Sequence, residues 1–298
     1  MLYIGELAAI ITSITYAVNS ALFTVAGRKV GSMVVNRVRL LAACIFLALG
    51  HWIFIGLPWP AGAGWERWLW LGSSGIVGLV LGDAFLFQAF IWIGPRISML
   101  MMSLAPIIAA VTAWVLLEEK LSGMQIMGIL VTLTGVAWVI LEKNQRSKEA
   151  NKDYLRGILF GLGAATGQGL GLVLAKPGLQ GSFSALSGNF IRMTSAFLVM
   201  GLITILQGKL RETYQQVRAH PRALGAIVGG AFSGPFIGVS LSLFALQHTS
   251  IGVASTLVSL TPIFLLPVEA RFFHERVGWG AVAGTIVALL GVAVLFLF

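Results

Sequence analysis

The sequence predicts an all-α integral membrane protein whose ten transmembrane helices form two inverted five-helix repeats. Three observations support this prediction: a very apolar composition, ten long apolar segments, and a set of residues that recurs halfway along the chain. Of the 298 residues, 57% are hydrophobic and 10% are charged, whereas a soluble domain has about 25% charged residues. This composition excludes soluble enzymes, nucleic-acid-binding proteins and disordered proteins.

Ten segments are long and apolar enough to cross a bilayer, which takes about 20 mostly apolar residues per helix. They lie near 3–26, 33–55, 68–92, 97–117, 123–141, 155–175, 185–206, 223–246, 251–273 and 277–298. Only the polar run at 142–153 and the stretch at 207–222 form long connections. The N-terminus lacks the basic start of a cleavable signal peptide, so we expect the first segment to be a retained helix.

A shift of 156 residues aligns the two halves of the chain. The matched residues are Ser103–Ile107 with Ser259–Ile263, Glu119 with Glu275, Gly78 with Gly234, Gly82 with Gly238, Gly128 with Gly284 and Gly135 with Gly291. A shift of 153 aligns Asn36-x-x-Arg39 with Asn189-x-x-Arg192. We therefore predict a first repeat at 1–141, a polar linker at 142–153 and a second repeat at 154–298.

Five helices in each repeat make the second repeat enter the membrane from the opposite side to the first. Inverted repeats of this kind are the architecture of secondary transporters, in which the substrate site lies between the repeats near the midplane. A duplicated membrane scaffold with no transport role is the alternative interpretation.

Two segments of the repeat share prolines, acidic residues and spaced glycines: Leu104-Ala-Pro-Ile…Glu118-Glu119-Lys-Leu-Ser…Gly128…Gly135-Val and Leu260-Thr-Pro-Ile…Glu275-Arg-Val…Gly284…Gly291-Val. This pattern resembles the EamA-type members of the drug/metabolite transporter superfamily, and the resemblance covers essentially the whole chain. It implies a ten-helix permease in which helices 1, 3, 4, 6, 8 and 9 line a central cavity. Family members often carry tryptophan in an aromatic–small pair early in helix 1, where this sequence has Tyr16-Ala17.

The basic residues predict the orientation in a cell membrane, either a plasma or an inner membrane. Most arginines and lysines follow odd-numbered helices, while Arg67, Lys120 and Lys176 lie on the other side and Arg192 lies inside a span. Because basic residues favour the cytoplasm, this bias places both termini outside. The family resemblance implies the opposite, with both termini inside.

Asp83 is the first candidate for a functional residue, because it lies in a continuous apolar segment. A charged group at the bilayer centre is unfavourable by at least about 2.5–3.5 kcal/mol and marks a functional position. Burial disfavours a charged carboxylate and a nearby arginine favours it, a balance that suits proton coupling or substrate contact. A structural ion pair or a polar cap at a helix break is the alternative.

Arg39 and Arg192 are repeat-related, and each follows an asparagine by three residues, which places Asn189 on one helix face with Arg192. An arginine inside a span can bind a carboxylate or phosphate through two hydrogen bonds. It can instead extend to the lipid headgroups, which is easier for Arg39, near its helix start, than for Arg192.

Other polar side chains inside predicted spans are candidates for contact with a substrate or a coupling ion: Asn19, Gln88, Gln168 and Glu269. The amides can equally join helices to one another, and Glu269 can pair with Arg271. Prolines that interrupt a helix and glycines that lack a side chain are candidates for gating: Pro106, Pro262, Pro235, Gly82 and Gly238. For the glycines, static helix packing is the alternative.

The sequence predicts a secondary active transporter, an exporter or exchanger of a small organic solute such as an amino acid, metabolite or drug, that works by alternating access. We expect no enzyme activity, metal or cofactor, because the four histidines lack ligand spacing and phosphate-binding loops and nucleophile–base sets are absent from the sequence. The single Cys44 excludes an internal disulfide.

The expected partners are membrane lipid, the solute and, as a candidate coupling ion, protons, with no nucleic acid and a monomeric or homodimeric state. An enzyme or carrier that acts on lipid-linked headgroups, and a non-transporting membrane subunit, are the alternative functions.

Overall fold

The computed structural model describes residues 3–117, 122–146, 152–181, 183–248, 251–272 and 278–297, which are almost entirely helical. The α-helices are α1 (Ile4–Val30), α2 (Ser32–Ile55), α3 (Trp65–Gly75), α4 (Asp83–Ile93), α5 (Pro95–Met102), α6 (Ala105–Leu117), α7 (Gly123–Arg146), α8 (Lys152–Gly178), α9 (Ala185–Leu206), α10 (Leu210–Ala219), α11 (Pro221–Ala231), α12 (Val239–His248), α13 (Ile251–Val258), α14 (Thr261–Phe272) and α15 (Trp279–Leu297). Two π-helices, Ile76–Gly82 and Phe232–Gly238, join α3 to α4 and α11 to α12.

The all-α membrane fold predicted from the sequence is confirmed. Within the described residues, 8 helical segments are long and apolar enough to cross a membrane. Two shorter apolar helices, Thr256–Val268 and Trp279–Leu295, lie where the sequence predicts the ninth and tenth spans. The helix of the fifth predicted span, α7, continues beyond the predicted end at residue 141 and ends at Arg146 in the polar run.

Helices α7 and α15, the last of each predicted repeat, pack closely through glycines. A Cβ atom placed on Gly128 would lie 2.8 Å from the carbonyl oxygen of Gly291, and one on Gly135 would lie 2.7 Å from that of Gly284. Residue numbers fall along α15 as they rise along α7, so the two helices are antiparallel. Inverted repeats require this antiparallel arrangement of corresponding helices.

The fourth and ninth spans are both broken at corresponding residues. Ser103 and Leu104 form a turn between α5 and α6, and the turn between α13 and α14 lies 156 residues later. Pro106 and Pro262 are each the second residue of the helix that follows the break. A proline there needs no N–H partner, so both prolines begin a new helix instead of bending an existing one.

The two π-helices are also 156 residues apart, and each lies against the first helix of the other repeat. Gly82 ends the first one, and a Cβ placed there would lie 3.3 Å from the backbone nitrogen of Gln168 on α8. Gly238 ends the second one, and a Cβ there would lie 2.8 Å from the Thr15 hydroxyl on α1. Pro235 lies inside the second π-helix and has no N–H to donate, which is consistent with the irregular backbone hydrogen bonding of this segment.

The stretch 207–222, expected as a polar connection, contains the short helix α10. Its apolar residues Leu210 and Tyr214 are one turn apart and are 55% and 64% exposed, a spacing typical of a helix that lies in the membrane interface. The Arg37 guanidinium on α2 donates a 3.0 Å hydrogen bond to Thr213. The Lys209 ammonium donates a hydrogen bond to Glu212, which lowers the pKa of that carboxyl.

The close contact of α7 and α15 predicts that Gly135→Ala destabilises the protein, by about 1–3 kcal/mol, because the added methyl group meets the backbone of α15. The matched control is Gly201→Ala on α9, where a Cβ meets no atom within 4 Å. We expect the control to keep or raise the unfolding midpoint of the detergent-solubilised protein, since alanine favours a helix. Equal midpoints for the two variants would contradict this packing.

Candidate functional site

The centre of the helix bundle contains a buried ion pair. The Arg39 Nη2 atom lies 2.7 Å from Asp83 Oδ2, and the two side chains are only 4% and 7% exposed. The other carboxylate oxygen, Oδ1, accepts a 2.7 Å hydrogen bond from the Gln168 amide on α8. Arg39 also donates to the Asn36 side chain at 2.9 Å and lies over the Phe87 ring at 5.1 Å. Each member of the pair is thus held by at least one further contact.

Side-chain amides bind the first π-helix beside this pair. Asn36, one turn before Arg39 on α2, donates through Nδ2 to the carbonyl oxygens of Leu79 and Val80 at 3.3 and 3.4 Å. Gln168 donates to the carbonyl oxygen of Gly78 at 3.2 Å. Buried carbonyl groups in an irregular helix need such partners. The same two amides therefore support both the irregular backbone and the charged pair.

The second repeat forms part of the same arrangement. Asn189 donates through Nδ2 to the carbonyl oxygen of Pro235 at 3.3 Å, the contact that corresponds to Asn36 with Leu79. Arg192 corresponds to Arg39, but Val239 occupies the position of Asp83. The second repeat thus keeps the amide and the arginine and lacks the acid.

Arg192 forms no ion pair within the part of the chain that the structure describes. Its Nε atom is buried without a hydrogen-bond partner, although the side chain as a whole is partly exposed to the cavity described below. Its charge acts electrostatically on Asp83 and on Tyr16. Arg192 is therefore a cation whose charge is only partly balanced.

Two adjoining cavities, each of about 350 Å³, lie between the helices. The first has polar side chains in its wall from both repeats: Tyr16, Asn19, Arg39, Asp83, Gln168, Asn189, Arg192 and Ser242. The second extends to Pro106 and Pro262 beside the helix breaks. Residues shared by both cavities are Tyr16, Met99, Met102, Gln168, Leu172 and Ser242. The volumes are in the range of small-molecule sites, about 300–1,000 Å³.

The structure brings six of the eight predicted contact residues to the first cavity: Asp83, Arg192, Arg39, Asn19, Gln168 and Asn189. Gln88 lines neither cavity and instead accepts a 2.5 Å hydrogen bond from Ser32, which joins α4 to the start of α2. The backbone of Glu269 lies in α14, and its side chain is outside the described part of the chain, as are Glu119 and Glu275. Extension of Arg39 to the headgroups is excluded by its burial.

The five gating candidates all lie at helix irregularities: Pro106 and Pro262 after the two breaks, and Gly82, Pro235 and Gly238 in the π-helices. Three of them, Pro106, Pro262 and Pro235, also line a cavity. Their role in gating remains a prediction.

Sequence reasoning missed several cavity residues, most clearly Tyr16 and Ser242. Tyr16 and Gln168 occupy corresponding places, since each packs at the glycine that ends the π-helix of the other repeat, Gly238 and Gly82. Their separation is 152 residues, so neither the shift of 156 nor the shift of 153 aligns them. A separate alignment of the first helix of each repeat was the signal that could have paired them.

The buried pair predicts a specific pattern of stability. Asp83→Asn leaves the Arg39 and Arg192 guanidinium groups without a carboxylate, so we expect destabilisation of about 3–5 kcal/mol. In the double variant Arg39→Gln/Asp83→Asn both charges are removed, and the unfolding midpoint should recover relative to either single variant. The exposed pair Lys209–Glu212 provides the control, because water solvates each partner when Glu212→Gln removes the charge. If the stability change of the double variant equalled the sum of the two single changes, direct coupling between Arg39 and Asp83 would be contradicted.

Comparisons with known proteins agree with this architecture. The sequence pattern of the EamA-like transporter family matches residues 3–141 and 155–297. A stretch of 48 residues is 48% identical to an uncharacterized transporter of Archaeoglobus fulgidus, and it covers 16% of this chain and 17% of that protein. A solved crystal structure of a protein is similar over 97% of this chain and 96% of its own, with a TM-score of 0.56 and 18% identity, which shows the fold alone. Because the family pattern matches nearly the whole sequence, this chain belongs to the EamA-like transporter family.

Proposed function

We propose that this protein is a secondary active transporter that exports or exchanges a small organic solute by alternating access. The observation that carries the proposal is the cavity between the repeats, where Asp83, Arg39 and Arg192 are held among apolar spans. Charged side chains among apolar spans are unfavourable, so their presence indicates a pathway for a solute or an ion. A small-molecule site of this size between two repeats is the arrangement that a carrier needs.

The helix irregularities provide the moving parts of the proposed mechanism. Broken helices with half-helix ends facing the binding site are a recurring feature of secondary transporters. Here the breaks at Ser103–Leu104 and Ser259–Leu260 border the second cavity, and the π-helices border the first. Corresponding hinges in the two repeats allow each repeat to adopt the conformation of the other. Exchange of the two conformations would open the cavity first to one side and then to the other.

Asp83 is the proposed coupling residue. Its two oxygens are bound by Gln168 and Arg39, and the arginine favours the charged form that burial disfavours. A proton that binds Asp83 would release Arg39 from the pair and change the balance of charge in the cavity. Proton binding and solute binding would then be coupled through one carboxylate.

The first test is a stability screen of the purified protein against amino acids, nucleosides, sugars, carboxylic acids, polyamines and cationic drugs. A ligand at about 100 times its Kd adds about 2.7 kcal/mol of stability, which raises the unfolding midpoint measurably. We expect one chemical class to give this shift. Stabilisation by one specific lipid and by no solute would favour an enzyme that acts on lipid-linked headgroups or a non-transporting subunit.

The solute identified in this way can then be followed in proteoliposomes. A carrier that works by alternating access exchanges labelled for unlabelled solute, so unlabelled solute on the far side should accelerate the flux of the labelled form. A pore would give flux that the far side does not accelerate. Acceleration would therefore exclude a pore, whereas flux that shows neither this acceleration nor saturation with solute concentration would contradict alternating access.

Proton coupling predicts that Asp83→Asn abolishes the response of flux to a pH gradient. The double variant Arg39→Gln/Asp83→Asn tests the same point without an unpaired Arg39, so a folded protein can be measured. Glu212→Gln is the control, because this exposed carboxyl lies on α10 outside the cavity. Gradient-dependent flux in the double variant would exclude Asp83 as the coupling residue.

A further inference from the structure

We infer that the solute is a small organic anion with an apolar body, whose carboxylate pairs with Arg192 in the cavity. In this arrangement the solute supplies to the second repeat the carboxylate that Asp83 supplies to the first. The inference rests on the proposed transport function and names the class of solute.

The charges around the first cavity support an anion. Among the described residues, its wall contains two arginines, Arg39 and Arg192, and one carboxylate, Asp83. The carboxylate is bound directly to Arg39, at 2.7 Å, so the net positive charge resides mainly on Arg192. An unbalanced cation in an apolar surrounding is unfavourable, and an incoming anion would relieve this state. A cationic solute would increase the net positive charge instead.

The internal symmetry supports a carboxylate as the missing group. We define the first half-site as Arg39, Asp83 and Gln168, and the second half-site as Arg192, Val239 and Tyr16. The half-sites correspond member by member: the arginine is kept, the amide Gln168 is matched by the phenol Tyr16, and the acid Asp83 is replaced by the apolar Val239. The two half-sites share one cavity, and within the described residues Arg39 has an ion pair there whereas Arg192 has none. A solute carboxylate can bind an arginine through two hydrogen bonds. The Tyr16 hydroxyl, which interacts with Ser242, lies on the same cavity wall.

The hydrogen bonds already made in the cavity disfavour an amino acid. An α-ammonium group would have to share the Asp83 carboxylate, whose two oxygens already accept hydrogen bonds from Arg39 and Gln168. The Pro235 carbonyl is bound by Asn189 in the same way. The other acceptors on the wall are uncharged hydroxyl and amide oxygens, and the Arg192 cation nearby repels an ammonium group. An acid without an amino group fits this distribution better than the zwitterion.

The second cavity fits the apolar part of the solute. Met99, Met102 and Leu172 line both cavities, and Ala254 and Val258 continue the apolar wall toward the break in the ninth span. Methionine side chains adapt to apolar groups of different shape. A solute with its carboxylate at Arg192 would therefore extend its apolar end to the helix breaks. The length of this apolar end would decide whether it contacts the residues at the breaks.

A matched series of ligands tests the charge requirement. The probes are 3-phenylpropionate, 3-phenylpropanol, 3-phenylpropylamine and phenylalanine, which share one apolar body, together with hexanoate, hexanol and hexylamine. We expect calorimetry on the detergent-purified protein to show binding by the two acids, and binding weaker by about tenfold or more for the alcohols, the amines and phenylalanine. No binding by either acid, or equal binding by an amine, would overturn the inference.

Two variants test the position. Arg192→Gln should weaken acid binding by about tenfold or more, whereas it should leave binding of the matched alcohols unchanged. Val239→Asp should place the missing carboxylate in the second half-site, so it should abolish acid binding while the unfolding midpoint rises or is kept. Val239→Asn controls for size and polarity and should retain acid binding. Unchanged acid binding in Val239→Asp, with a folded protein, would overturn the assignment of the second half-site.

Flux measurements separate this inference from the proposed function. Binding of acids that depends on Arg192, with no exchange in proteoliposomes, would support the anion site and contradict transport. Exchange of an amine or a neutral solute, unaffected by Arg192→Gln, would support transport and overturn the anion site.

Discussion

The ion pair between Arg39 and Asp83 is the interaction on which the interior of this protein depends. Two charges among apolar spans would be strongly unfavourable if either lacked a partner. The surroundings meet this constraint with short-range contacts: Asn36 holds the guanidinium and Gln168 holds the carboxylate. Because those amides also bind the carbonyls of the first π-helix, the pair, the irregular backbone and the contact between the two repeats form one connected structure.

Two corresponding positions in the cavity make the two repeats differ in chemistry. The asparagine contact to a π-helix carbonyl is present twice, from Asn36 and from Asn189, and so is the arginine one turn later. The amide Gln168 is matched by Tyr16, and the acid is missing, since the residue that corresponds to Asp83 is Val239. The protein thereby combines a fixed charge pair with a nearby cation, Arg192. The charge of Arg192 is balanced only in part by Asp83, which is already paired with Arg39. The asymmetry lies at the centre of the cavity, where it affects a bound molecule most directly.

Much of the fold could be predicted from the sequence, because length and apolarity decide which segments span a bilayer and the repeat is visible in prolines, glycines and arginines. Asp83 and Arg192 were found because charge inside a span is rare. The pairing of Arg39 with Asp83 could not be predicted. The sequence shows where along its helix each residue lies, but it does not show which helix faces are in contact. For the same reason Gln88, a plausible cavity residue, instead joins two helices through Ser32. Helix α10 was missed because its few apolar residues lie in a polar stretch.

The contact between α7 and α15 has a consequence for how a chain with two repeats can evolve from a shorter one. Each helix presents the same pattern of small residues to the other in reversed direction, so Gly128 meets Gly291 as Gly135 meets Gly284. This is the geometry of an isologous interface, the kind that joins two identical subunits about a two-fold axis. A chain half as long carries all that this contact requires and could assemble as an antiparallel pair. Fusion of the halves removes the requirement that both copies be identical, so one copy can keep an acid while the other replaces it with valine.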